Sequence, residues 1–361
     1  MTIINIPERE VSEYTPKDFG GIRKKKTVCV IRYGAFGDII QTSSILPLLK
    51  NQGYNVCVNV TEIGMDILKS NPYVDEFLVQ KTGAIPENEL DEYWKHLSPL
   101  FDKVIQLSES IEASLLIVPD RTTKLRDGTV SLVPGDKRFE WDKDALHKEC
   151  NVNYMERIHD IAEVPHIFKP KFFPLKHEKE WAKKFRKKIK KRHVILWSLS
   201  GSSVHKVYPW TDSVIAKVLL LRNDVCFVTV GDGLCKLLEQ GWEEEKRVIT
   251  KSGEWSIRET LSFLDQCSLV IGPETGVLNA ASTLPCHKIV MLSHSSKENL
   301  SKHWDNTSTL EPDYYDEYCF PCHKMHYGFN TCNRDSETGG AMCAANITPN
   351  DIYNKIVKNL K

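Results

Sequence analysis

The amino-acid sequence predicts an α/β protein built from two Rossmann-like domains, and three observations lead there. At 361 residues the chain exceeds the size at which one hydrophobic core usually keeps growing. Short apolar runs rich in β-branched residues alternate with stretches of helical periodicity, the pattern of a parallel sheet covered by helices. That alternation occurs twice, on either side of the aromatic, proline-marked stretch Phe168–Pro174.

In the first half (residues 1–175), Thr27–Ile31 reads as a buried strand, followed by a glycine-containing turn and an apolar-periodic helix over Ile39–Leu49. Further strands are expected at Asn55–Val60, Glu76–Val79, Lys103–Leu107 and Leu115–Val118, and Arg121–Lys143 reads as a polar loop. The second half (176–345) opens on a basic helix. It continues with strand His193–Ser198, strand Val225–Val230, a helix from Leu234, strand Arg247–Ile249 and helix Ile257–Cys267. Strand Leu269–Ile271, helix Gly276–Ser282 and strand His287–Leu292 follow, then a Cys-rich insertion at 319–343. Thr348 caps a final helix (346–361) with Pro349 in its first turn. Two such domains facing each other make a cleft where the carboxyl ends of the strands meet, and open α/β sheets bind their ligands there.

Lys plus Arg equals Asp plus Glu at 48 each, so the overall field gives no reason to expect a nucleic-acid partner. One local run, Lys183–Arg192, is strongly basic and fits either a solvated face or a surface for an anionic acceptor or membrane. No stretch approaches a bilayer-spanning apolar run, so a cytoplasmic chain is expected, at most peripheral to the inner membrane. Of the 11 cysteines, seven are scattered through core-like segments such as that of Cys29 and that of Cys226, as expected of reduced, buried thiols.

Three loops carry candidate chemistry. In RYGAFGDIIQT the chain leaves a strand, turns through Gly34 and Gly37 and enters a helix at Asp38 or Ile39. Helix-terminal amides and close backbone approach make this a credible anion or sugar site. Asp38 fits two roles, a helix N-cap or a general base aimed into the cleft. In GPETGVLNAAS, Glu274 precedes Thr275, and the amides of Thr275, Gly276 and Val277 suit a diphosphate, the macrodipole adding attraction; an ordinary βα turn capped by Thr275 is the bland alternative. In SLSGSSVHKVYPW, Ser202 and Ser203 can donate to phosphate oxygens, and Lys206 can neutralise a leaving diphosphate in place of a metal; otherwise Lys206 is an exposed loop lysine. Separately, Cys319, Cys322, Cys332 and Cys343 have a spacing suited to tetrahedral Zn or Fe in a structural role, or are four unligated thiols.

RYGAFGDIIQTSSILPLL, GSSVHKVYPW and VIGPETGVLNAAS, in this order, resemble the heptosyltransferases of glycosyltransferase family nine, and the likeness runs from Val28 to the end of the chain. The resemblance implies a GT-B fold and inverting transfer from a nucleotide diphosphate sugar, with ADP-heptose the favoured donor and no cofactor in catalysis. It implies Asp38 as the base beside Gly37, Lys206 on the donor phosphate, and Thr275 and Gly276 in the diphosphate turn. The family usually has Asp where this chain has Glu274 and His where it has Asn279, which bears on the donor sugar more than on the fold. The cysteine pattern also resembles the iron finger of autotransporter heptosyltransferases, with a shorter gap between the second and third Cys. The expected acceptor is a hydroxyl of a lipopolysaccharide core, another glycan or lipid-linked glycan, or a protein. The rival readings are a UDP- or GDP-hexose donor and a non-catalytic protein that binds sugar nucleotides or nucleic acid.

Overall fold

The structure, a computed structural model, describes residues 1–23, 25–86, 89–108, 121–124, 130–133, 151–201, 203–312, 320–323 and 332–360. It divides into two compact units, Met1–Phe173 and Pro174–Lys361.

The first unit is organised by β1 (Thr2–Asn5), β2 (Thr27–Ile31), β3 (Asn55–Thr61), β4 (Glu76–Gln80) and β5 (Lys103–Gln106). They form a parallel sheet in the order β1-β4-β3-β2-β5. All five residues of β2 are buried, as befits an interior strand covered on both faces. Each such aliphatic side chain contributes about 1.5–3 kcal/mol relative to exposure. The chain moves outward from β2 through β3 to β4, then returns to lay β5 on the other flank of β2. The carboxyl end of β2 is therefore the switch point of this sheet, where a crevice opens between loops leading in opposite directions.

The second unit contains β8 (His193–Ser198), β9 (Val225–Val230), β10 (Val248–Thr250), β11 (Leu269–Pro273), β12 (His287–Met291) and β13 (Thr307–Leu310). These too are parallel, in the order β10-β9-β8-β11-β12-β13, which puts the switch point between β8 and β11. The helix Pro349–Asn359 is capped by Thr348 and buries Ile352 and Ile356 in the same core as Trp197, Phe227 and Ile289. The basic helix Lys176–Lys188 is fixed on one side by Glu178, whose carboxylate meets Arg258 at 2.6 and 2.8 Å, and by Trp181 and Phe185 packed against Trp255 and Phe263. Its exposed positions carry Lys179, Lys183, Lys184, Lys187 and Lys188.

Several elements differ from the sequence expectation. The helix expected over Ile39–Leu49 starts at Phe36 and is two helices, Phe36–Thr42 and Leu46–Asn51. Pro47 cannot continue the amide ladder, and the Ser43 and Ser44 hydroxyls donate to the carbonyls of Ile40 and Gln41 at the break. The segment from Leu234 is a 3-10 helix, with Asp232 accepting from the amides of Leu234 and Cys235. The α-helix from Ile257 ends at Phe263, and a 3-10 turn follows. Within the expected loop Arg121–Lys143, β6 (Arg121–Lys124) pairs antiparallel with β7 (Val130–Val133). The strand expected at Leu115–Val118 lies outside the described residues. Cys29, Cys57, Cys226, Cys235 and Cys267 are buried thiols.

Candidate functional site

Each unit presents its informative loop at its own switch point. In the first, the chain leaves β2 at Arg32, passes Gly34 and enters the helix Phe36–Thr42. Gly34 has φ +112°, a region that L side chains avoid, and a Cβ there would meet Asp38 Oδ2 at 2.9 Å. Gly37 lies inside the helix rather than in the turn, and it is buried. Asp38 is likewise not the N-cap: Ala35 holds that position, and Asp38, three residues on, reaches back to accept from the Ala35 amide at 3.0 Å. Its other oxygen pairs with Arg32 Nη2 at 3.2 Å, and the carboxylate keeps 30% of its surface exposed while Arg32 is buried. Arg32 Nη1 donates to the Leu107 carbonyl at 2.8 Å, and the Tyr33 amide donates to Ser108 Oγ at 2.8 Å, so the loops after β2 and β5 are tied together. The carboxylate is thus both a capping group and a partly exposed, oriented base candidate.

In the second unit, the loops after β8 and β11 meet. Thr275 caps the helix Gly276–Ala281, accepting from the Leu278 amide, and its hydroxyl lies 3.3 Å from Ser198 Oγ. A Cβ on Gly272 would sit 2.9 Å from Ser198 Cβ, which shows how tightly the two strands pack here. Lys206 is buried, and its stem runs across Gly201: a Cβ at Gly201 would stand 2.6 Å from Lys206 Cδ and 3.4 Å from Thr275 Cγ2. The Glu274 carbonyl oxygen lies 3.5 Å from that same Cβ position. Lys206, Glu274, Thr275, Gly276 and Asn279 are therefore one neighbourhood.

Glu274 is buried, with Oε1 accepting from the amides of Ser293, His294 and Ser295 at 2.7, 3.2 and 3.1 Å, and His294 Nε2 lying 2.8 Å from Oε2. Burial pushes this carboxyl up, but His294 and then Lys206 outweigh it and hold the group well below the usual carboxylate range. His205 packs edge-on against His294 at 5.5 Å. Two buried polar atoms of these loops, Ser203 Oγ and Asn279 Oδ1, have no hydrogen-bond partner among the described residues. Ser202 lies outside the described residues.

Sequence reasoning passed over Arg32 and His294, although each directly follows or closely trails a buried strand at its carboxyl end. Their roles depend on partners distant in sequence. Of the expected metal ligands, Cys322, Cys332 and Cys343 are described and Cys319 is not. Among the described residues no group of three or more His, Cys, Asp or Glu is arranged to hold a metal ion.

Two doubly wound parallel sheets, each with a furnished switch-point loop, are the two Rossmann-like halves of a GT-B fold. The chain is similar in sequence to lipopolysaccharide heptosyltransferase 1 of Campylobacter coli, 22% identical over 294 residues, covering 71% of this chain and 81% of the relative. In structure it is similar to the E. coli ADP-heptose lipopolysaccharide heptosyltransferase II, with TM-score 0.59, 15% identity and coverage of 92% and 98% of the two chains. It is also similar to the dodecameric iron-containing heptosyltransferase TibC of enterotoxigenic E. coli, solved in complex with ADP-D-beta-D-heptose, with TM-score 0.55, 12% identity and coverage of 93% and 78%. No family model matches the chain. The chain is thus heptosyltransferase-like, as the three loops imply.

Proposed function

We propose that this protein transfers a heptose from ADP-heptose to a hydroxyl of a lipopolysaccharide core, with inversion at the anomeric carbon. The observation that carries the donor half is Lys206 lying across Gly201 beside the Thr275 turn, on loops where Ser203 Oγ and Asn279 Oδ1 have no hydrogen-bond partner among the described residues. A buried cation and unsatisfied polar atoms at a switch point suit a diphosphate and its sugar.

In the reaction, Asp38 takes the acceptor hydroxyl's proton as that oxygen attacks the anomeric carbon from the face opposite the diphosphate. The bond between the anomeric carbon and the diphosphate oxygen breaks, and its electron pair leaves with ADP. Lys206 and the first-turn amides at Thr275 and Gly276 stabilise the charge that develops on the leaving group, with Ser202 and Ser203 as further donors and Gly37 keeping the Asp38 helix close to the ligand. This requires no catalytic metal. Cys319, Cys322, Cys332 and Cys343 are proposed to hold one structural Zn or Fe, a reading supported by their spacing and by likeness to an iron-containing relative. Among the described residues no helix is long and apolar enough to cross a membrane, and the proposed setting is the cytoplasmic side of the inner membrane.

The test is calorimetric titration of the purified protein with ADP, UDP, GDP and CDP. Selective ADP binding, followed by turnover of ADP-heptose, is expected. Preference for another nucleotide replaces the donor, and binding of none removes the catalytic reading.

A further inference from the structure

Glu274 occupies the place where a donor-binding acid is expected, yet its carboxylate is already fully engaged. A carboxylate offers about four lone-pair sites. Four hydrogen bonds already fill these: Oε1 accepts from the amides of Ser293, His294 and Ser295, and Oε2 from the Ser293 hydroxyl at 3.3 Å, while His294 Nε2 lies 2.8 Å from Oε2 as an ion-pair partner. Both side chains of the Glu274–His294 pair are only 4% exposed. Oε1 has no capacity left for the hydroxyls of a sugar, and the His294 ring stands against Oε2.

We infer that Glu274 is the anchor of a buried brace rather than a ligand of the donor sugar, and that His294 is the positioning residue that completes the brace. The inference rests on the reading of the Thr275 turn as the donor site. The brace joins the loop after β12 to the turn after β11, two strands that pair from Leu269–His287 to Pro273–Met291. The Glu274 backbone stands beside Lys206, both lying against Gly201, where the lysine stem is confined. A buried carboxylate that lost His294 would be left without the N–H group standing against Oε2, which shifts the 293–295 loop and Lys206 together. Recognition of the sugar then falls to groups that still have capacity, Asn279 Oδ1 and Ser203 Oγ.

The experiment compares ADP with ADP-heptose by calorimetry, using the full chain, for the wild type and for Glu274→Gln, His294→Leu, His294→Gln, Lys206→Ala and the double variant Glu274→Gln/Lys206→Ala. An anchor predicts that Glu274→Gln and His294→Leu weaken both ligands by the same factor, about tenfold or more, the scale of a charge-assisted hydrogen bond. The double variant should lose less than the product of the two single losses, because both act through one group. His294→Gln, which keeps an N–H donor, should recover most of the affinity, an outcome that a general loss of stability would not give. Loss of ADP-heptose binding with ADP binding intact in Glu274→Gln makes Glu274 a sugar ligand and overturns the inference. Wild-type ADP affinity in His294→Leu overturns it as well. If His294→Leu does not fold, the ratio of the two affinities in Glu274→Gln and the double variant decide. A wild-type chain that binds neither ligand defeats the donor-site reading itself, a separate failure.

Discussion

Arg32 and Asp38 are joined by a 3.2 Å ion pair, and the same guanidinium donates to the Leu107 carbonyl, so the carboxylate is placed by both strands that flank its switch point. Asp38→Asn should abolish transfer while leaving ADP affinity within a few-fold of wild type. Arg32→Met should leave the base present but misaimed. The expected loss in kcat is about 10²-fold, the scale for misplacement of a reacting group by about 1 Å. Single-turnover kinetics with ADP-heptose checks both, and near-normal turnover in Asp38→Asn takes Asp38 out of the mechanism.

Gly34→Ala combines a strained φ of +112° with a contact to Asp38 Oδ2 at 2.9 Å. A cost of about 1–3 kcal/mol in stability is expected for such a backbone position. Activity should fall further than stability alone explains, because the clash is with Asp38, the proposed base. Denaturant titration alongside kcat separates the two effects.

Lys206→Ala should raise the Kd for ADP by an amount equivalent to about 1.5–3 kcal/mol, the range for a hydrogen bond to a charged group. Far-UV dichroism should be unchanged. Affinity equal to wild type would remove the lysine from the diphosphate site.

Glu178 and Arg258 form a bidentate, buried pair, and Glu178 also accepts from the Leu175 amide at 2.6 Å. Burial raises the Glu178 carboxyl, but the hydrogen bonds and charge of Arg258, with the Leu175 amide, outweigh it and leave the group below its ordinary value. The depressed folded value means that this contribution is present above the unfolded pKa, near 4.5, and is lost as pH falls through the folded value. Arg258→Met should cost about 3–5 kcal/mol, because it strands a buried carboxylate. Urea unfolding at neutral and acid pH should show this cost shrinking as the acid limb is entered. A pH-independent difference would assign the loss to packing.

Metal analysis of the purified full chain should find about one Zn or Fe per molecule, and Cys322→Ser should lower that occupancy, as removal of one of four ligands does. Far less than one metal per chain in the wild type ends the proposal for the cysteine cluster.

The strands with bounds readable from sequence are those with uninterrupted apolar, β-branched runs. His193–Ser198 and Val225–Val230 are buried at every position, so the pattern and the environment agree. β1 and β13 escaped notice for the opposite reason: Thr2–Asn5 and Thr307–Leu310 are short edge strands of mixed polarity, without alternation or a continuous apolar run. The loops of the site were visible because glycine marks them. Their wiring was not, since the partners of Asp38 and Glu274 are supplied by tertiary proximity. Arg32 is six residues from Asp38 but across a turn that local pattern does not specify, and His294 is brought to Glu274 only by the pairing of β11 with β12. The misplaced helix start has a local cause, because Asp at the third helical position and Asp at the cap both satisfy a free amide.

The packing of Ile352, Ile356 and Leu360 into the core built on β8, β9 and β12 also bears on biosynthesis. Tyr208 donates to the Ile347 carbonyl and Trp210 to that of Ala345, so the segment just after β8 is held by residues made well over a hundred positions later. During vectorial synthesis the unit ending at Phe173 has all of its strands available while translation continues. The second unit must wait for Leu360, with Trp197 and Phe227 incompletely covered until then. That interval is when the apolar core of the second unit is most exposed.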